Sequence, residues 1–121
     1  MSKDRATQPF LPLTPAMFYI LLALADGDKH GYAVMKEVSL RTAGRTRLSA
    51  GTLYGIIKRL LTGGLIEESR RRPAAENDDE RRRYYRLTNF GRQVAMAEAE
   101  RMDEALAVAR VKKLLGRLET A

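Results

Sequence analysis

Apolar residues fall into helical stripes over much of the chain and alternate with polar ones in two short runs. "AMFYILLALA" follows Thr14-Pro15, a hydroxyl N-cap with proline at the first helical position, and is apolar on nearly every side. That pattern predicts a first helix central to the core, ended by Asp26-Gly27-Asp28. "HGYAVMKEVSLRTAG" predicts a second helix, with Tyr32, Val34, Met35, Val38 and Leu40 as its apolar stripe and Gly44 as its stop. Lys36, Glu37 and Arg41 then face water. His30 reads as a cap or packing residue at the helix start. "RTRL" reads as a short strand. Ser49 is an N-cap for a third helix, "AGTLYGIIKRLLTGG", in which Leu53, Ile56 or Ile57, Leu60 and Leu61 recur at helical spacing.

"LIEESRRR" and "RRRYYRLT" flank the polar, proline-containing "PAAENDDE", which predicts a β-hairpin with a long charged tip. Thr88-Asn89 starts a last helix expected to run to Leu118. At 1.5 Å per residue, about 30 residues would extend about 45 Å, too long for a domain this small to cover by itself. Ala95, Ala99, Met102, Leu106 and Ala109 step by four and three, a heptad-like seam; Val111, Leu114, Leu115 and Leu118 continue it on a rotated face. We read this seam as shared with a second copy, the alternative being packing on the chain's own core. Residues 1–12 read as a flexible arm, 13–88 as one folded domain, and 89–121 as a dimerisation helix and tail. The expected fold class is mainly α with a small β-hairpin. Helix, helix, short strand, helix, hairpin, long helix is the order of a winged helix-turn-helix, whose third helix enters the major groove of DNA.

Charge sharpens that expectation. The 121 residues carry a formal charge of +7, and residues 1–66 hold nine Lys/Arg against four Asp/Glu. A basic excess beside the third helix suits a polyanion. Small residues Ser49, Gly51 and Thr52 at the helix start would let phosphate approach free N–H groups and the helix dipole. Tyr54, Lys58 and Arg59 would add a phenol and two cations. In the wing, Arg70, Arg71, Arg72, Arg81, Arg82 and Arg83, with Tyr84, would grip phosphates or enter a minor groove. Each has a plainer alternative: Ser49 as cap only, Tyr54 in the core, Lys58 and Arg59 on a solvated face. The wing arginines could equally be neutralised by Glu67, Glu68, Asp78, Asp79 and Glu80. Tyr84 and Tyr85 alternate faces, so one belongs to the core.

Other classes find little to build on. One histidine, no cysteine, no Gly-rich phosphate loop and no zinc-ligand spacing leave no catalytic or cofactor site. The absence of cysteine, of a signal-like apolar stretch and of an 18-residue apolar run fits a cytoplasmic protein that is not embedded in a membrane.

Three segments together carry a family resemblance: "LTPAMFYILLALADGDKHGYAVMKEV" at 13–38, "LSAGTLYGIIKRLLTGGLIE" at 48–67 and "RRYYRLTNFGR" at 82–92. In this order they resemble the PadR family of bacterial transcriptional regulators. The resemblance implies a two-fold homodimer that binds double-stranded DNA at inverted-repeat operators, usually as a repressor, and in many members is released by a small-molecule effector. It carries Ser49, Gly51, Thr52, Leu53, Tyr54, Lys58 and Leu60 onto the recognition helix, and Arg83, Tyr84, Tyr85, Leu87 and Thr88 onto the outgoing wing strand. Gly55 departs from the proline the family often has there. The chain lacks tryptophan, so effector stacking on Trp is not available to it. An effector cavity is expected between the first and last helices, near Met17, Phe18, Met96 and Met102. The competing function is a winged-helix protein-interaction module that does not bind DNA.

Overall fold

A computed structural model describes residues 6–69 and 83–115 of the chain. Helix α1 (Pro15–Ala23) opens on Thr14, whose hydroxyl accepts the Met17 N–H at 3.2 Å. A two-residue strand, β1 (Lys29–His30), leads into α2 (Gly31–Arg41). Here the single histidine is the cap: His30 Nδ1 accepts the Ala33 N–H at 3.1 Å. Helix α3 (Ala50–Thr62) starts on Ser49, whose Oγ accepts the Thr52 N–H at 3.1 Å. Strands β2 (Ile66–Glu68) and β3 (Tyr84–Leu87) precede α4 (Asn89–Val111), capped by Thr88. Four helices thus begin on four side-chain acceptors, each satisfying an N–H that the helix itself leaves unpaired.

The sheet has the order β1-β3-β2, antiparallel throughout. Its third member corrects the sequence reading. "RTRL" is not a strand; the strand lies earlier, at Lys29–His30, pairing Lys29 with Tyr85 and His30 with Tyr84. Residues 45–48 are instead an irregular link between α2 and α3, held by buried Thr42. Its Oγ donates to the Val38 carbonyl at 2.9 Å and accepts the Thr46 N–H at 3.0 Å. Gly44, at φ +79°, makes the reversal there, a conformation open to glycine.

The core is formed by Ile20, Leu21 and Leu24 of α1 and its end, Val34 and Val38 of α2, Leu53, Ile57 and Leu60 of α3, Leu65 and Ile66 at β2, Tyr85 and Val94. Tyr32 and Leu40, expected in the buried stripe of α2, are exposed instead. Val34 and Val38 are buried as expected, and Gly31 and Thr42 extend that inward face at either end. Leu61 likewise turns out of the core, at its surface.

Two expectations about the ends change. Part of the expected flexible arm is packed: Gln8–Phe10 form a 3-10 turn, Phe10 and Phe90 meet with ring centroids 5.4 Å apart in a T-shaped arrangement, and Leu11 packs against the core. Helix α4 ends at Val111, not Leu118. Lys113 reverses the chain at φ +63° and the Leu114 N–H bonds the Ala109 carbonyl at 2.8 Å. Its 23 residues span about 34 Å at 1.5 Å each. Leu118 lies outside the described residues.

Candidate nucleic-acid interface

Helix α3 separates its two faces cleanly. Leu53, Ile57 and Leu60 are at most 2% exposed and fix the helix to the core. Ser49, Gly51, Thr52, Tyr54, Gly55, Lys58 and Arg59 all lie on the outward face. A side chain added at Gly51 or Gly55 would meet nothing, so the surface is open along that flank. Such openness at a helix start lets another backbone come close. The Ser49 hydroxyl donates to Thr52 Oγ1 at 3.0 Å while accepting the Thr52 N–H. The Ala50 and Gly51 N–H groups of the first turn remain without helical partners, a site suited to an anion.

Tyr54 is neither core nor a free phenol. It is 40% exposed, and its hydroxyl end rests against Gly31, where an added methyl group would overlap it. The ring therefore braces α3 against the start of α2 while one flank faces outward. It also lies near Tyr85, whose phenol is pushed above its usual range, first by burial and then by its neighbours Tyr54 and Glu68.

Lys58 and Arg59 are exposed, and no carboxylate among the described residues pairs with either. From Thr42 to Ile66 the chain holds Arg45, Arg47, Lys58 and Arg59 and no acidic residue. Arg45 and Arg47 are additions to the sequence reading. Both are exposed in the link before Ser49; their charge in an otherwise acid-free segment was the available signal.

The wing is less basic where it is described. Arg83 pairs with Glu68 at 3.5 Å and Arg86 with Glu67 at 2.8 Å, so these cross-strand pairs offset one another's charge. Tyr85 takes the core place, and Tyr84 is half-buried with its ring against the edge of His30 at 5.4 Å. Arg70, Arg71, Arg72, Arg81 and Arg82 lie outside the described residues.

The first half of α4 packs on its own chain through Gly91, Val94 and Glu98. Ala95 also touches that core, whereas Ala99 and Leu106 are exposed and Met102 and Ala109 half-buried. Beyond them Val108, Val111 and Leu114 are more than half exposed, and Leu114 stands past the helix end. A cavity of about 370 Å³ beside α4 lies between Leu11, Pro12 and the helix residues Ala97, Glu100 and Arg101. Met17, Phe18, Met96 and Met102, the residues expected around an effector, do not line it.

No helix among the described residues is long and apolar enough to cross a membrane. No curated protein matches the chain. Among solved structures it is similar to a transcriptional regulator from Clostridium thermocellum, at 26% identity, covering 78% of this chain and 86% of that one, TM-score 0.64. A PadR family transcription regulator from hypervirulent Clostridium difficile is 25% identical, with 85% and 100% covered and TM-score 0.68. Bacillus subtilis PadR, solved in complex with operator DNA, shares the fold at 20% identity and TM-score 0.56, with 67% of this chain and 44% of that one covered. The family model for PadR-like transcriptional regulators matches residues 20–97, from within α1 across both wing strands into α4. That match takes in more than half of the chain together with the whole helix-turn-helix and wing described above, and the chain therefore belongs to the PadR-like family of transcriptional regulators.

Proposed function

We propose that the chain is a cytoplasmic, homodimeric, sequence-specific DNA-binding repressor acting at an inverted-repeat operator. The observation that carries this reading is α3. Its apolar side is locked into the core, and its outward side carries Lys58 and Arg59, two open glycine positions and no acidic residue. A helix so presented fits a major groove, with its N-terminal amides toward phosphate and its cations farther along. The exposed apolar residues at the far end of α4 support pairing of two copies. Two-fold symmetry would then set two α3 helices about 34 Å apart on one face of the duplex. The operator complex of Bacillus subtilis PadR, a structure of the same fold, supports the choice of partner.

The test is fluorescence anisotropy with duplexes tiled across the region upstream of the chain's own reading frame, alongside light scattering of the protein alone. A dimer that prefers one tile over a scrambled duplex, with affinity falling steeply as salt rises, is the expected result. A dimer with no preference for any tile would sink the reading in favour of the protein-interaction module.

A further inference from the structure

Helix α2 and the link that follows it form a second basic site beside α3. Met35, Lys36, Ser39, Arg47 and Leu48 enclose a shallow cavity of about 200 Å³, directly ahead of the Ser49 cap. Met35 and Leu48 supply its apolar floor, while Lys36, Ser39 and Arg47 supply donors only, apart from the hydroxyl oxygen. The Lys36 ammonium is steadied 5.5 Å above the Tyr32 ring, an attraction that leaves its charge intact. The Arg47 guanidinium lies along Gly44, where an added side chain would sit 3.6 Å from it. The nearest carboxylate in sequence, Glu37, is engaged elsewhere, at 3.4 Å from Arg41 and 3.8 Å from Lys29. No acidic side chain lines the cavity. Two cationic side chains and a hydroxyl line an open depression beside the start of α3.

We infer that Lys36, Ser39 and Arg47 form a seat for one backbone phosphate of the operator duplex, and so set the position of α3 along the groove. This inference rests on the DNA-binding reading above and deepens it. The groups recognise a phosphodiester by charge and hydrogen bonding, which carries no base information. They contact the strand flanking the base pairs under α3, because the seat abuts the N-terminal end of that helix.

The test compares wild type with Lys36→Ala, Arg47→Ala, the charge-keeping Arg47→Lys, and Arg41→Ala as a control from the other flank of α2. The probes are a preferred upstream duplex of about 30 base pairs, room for two half-sites one turn apart, and its scrambled counterpart. A contact contributing about 0.9 to the slope of log affinity against log salt amounts to about eightfold at 0.1 M relative to 1 M. Lys36→Ala and Arg47→Ala should each weaken both probes by about that factor per seat and lower the slope. Arg47→Lys should restore most of the slope, and Arg41→Ala should leave it unchanged, with circular dichroism identical throughout. Salt-dependent wild-type binding with an unaltered slope in both alanine variants would overturn this inference alone. Loss of affinity for the preferred duplex but not the scrambled one would also overturn it, assigning base readout instead. A wild type that binds neither probe would overturn it together with the DNA-binding reading.

Discussion

At the scale of single residues, two glycines sit where a side chain would overlap a neighbour, and neither constraint was legible in the sequence. Gly31 faces the Tyr54 hydroxyl, and Gly91 in the first turn of α4 faces the Leu65 carbonyl. "HGY" and "FGR" read as ordinary helix starts because a glycine's missing Cβ matters only once its neighbour across space is known. Gly31→Ala should push the part-exposed tyrosine outward at a cost of about 1–2 kcal/mol, and Tyr54→Phe in the same chain should recover part of it. Gly91→Ala has only backbone to displace and should cost about 3 kcal/mol or more. Urea unfolding of the three variants measures both. Glu98 is a third hidden site, a buried carboxylate in a helix read from sequence as a seam. Arg101 bonds it at 2.8 and 3.0 Å, and that bond, more than burial opposes it, holds its pKa below the ordinary 4.5; the Leu13 N–H adds to the lowering. A depressed folded pKa means the contribution is fully present above the ordinary carboxylate value and is lost as pH falls through the folded one. Stability should therefore be level in this component at neutral pH and fall below about pH 4.5, and Glu98→Gln should flatten that fall in acid-titrated unfolding curves.

Elements were more legible than residues, because caps and periods are written locally. Thr14, Ser49 and Thr88 announced three helix starts and each accepts the expected N–H. What failed were features that need a partner. "RTRL" alternates like a strand but has no strand beside it among the described residues, while Lys29–His30 pairs with β3 despite resembling only the edge of a helix. The stripe of α2 holds at Val34, Met35 and Val38 and fails at its two ends, where Tyr32 stacks on His30 at the surface and Leu40 is exposed. The link between α2 and α3 depends on Thr42, which a propensity argument treats as a weak helix former. Thr42→Val keeps the shape but strands the Thr46 N–H. Losing the acceptor of this part-buried donor costs about 1 kcal/mol, and α3 loses a tether at its N-terminal side. The variant should unfold at lower urea and bind the preferred duplex more weakly than its folded fraction explains, as circular dichroism and anisotropy on the same samples would register.

At the scale of the whole molecule, one chain presents the basic outward face of α3 and one exposed apolar helix end, and in the proposed dimer the two properties are coupled through the number of copies bound. Residues near α4's end are far from the cations of α3 in sequence and carry Leu106, Val108 and Val111 at the surface. Leu106 and Val108 are 42% and 54% exposed, so a negative charge at either reaches water and the monomer should keep its fold. In a dimer the same charge would meet its symmetry mate across an apolar seam, where an unpaired buried charge is strongly unfavourable. Leu106→Glu should therefore lower the mass seen in sedimentation to that of a single chain at micromolar concentration. The salt response then discriminates in a way affinity alone cannot. Each copy contributes its own set of phosphate contacts, so the slope of log affinity against log salt should fall to about half when one copy binds instead of two. A variant that sediments as a monomer yet retains the wild-type slope would mean that α4 does not bring two α3 helices to the duplex together.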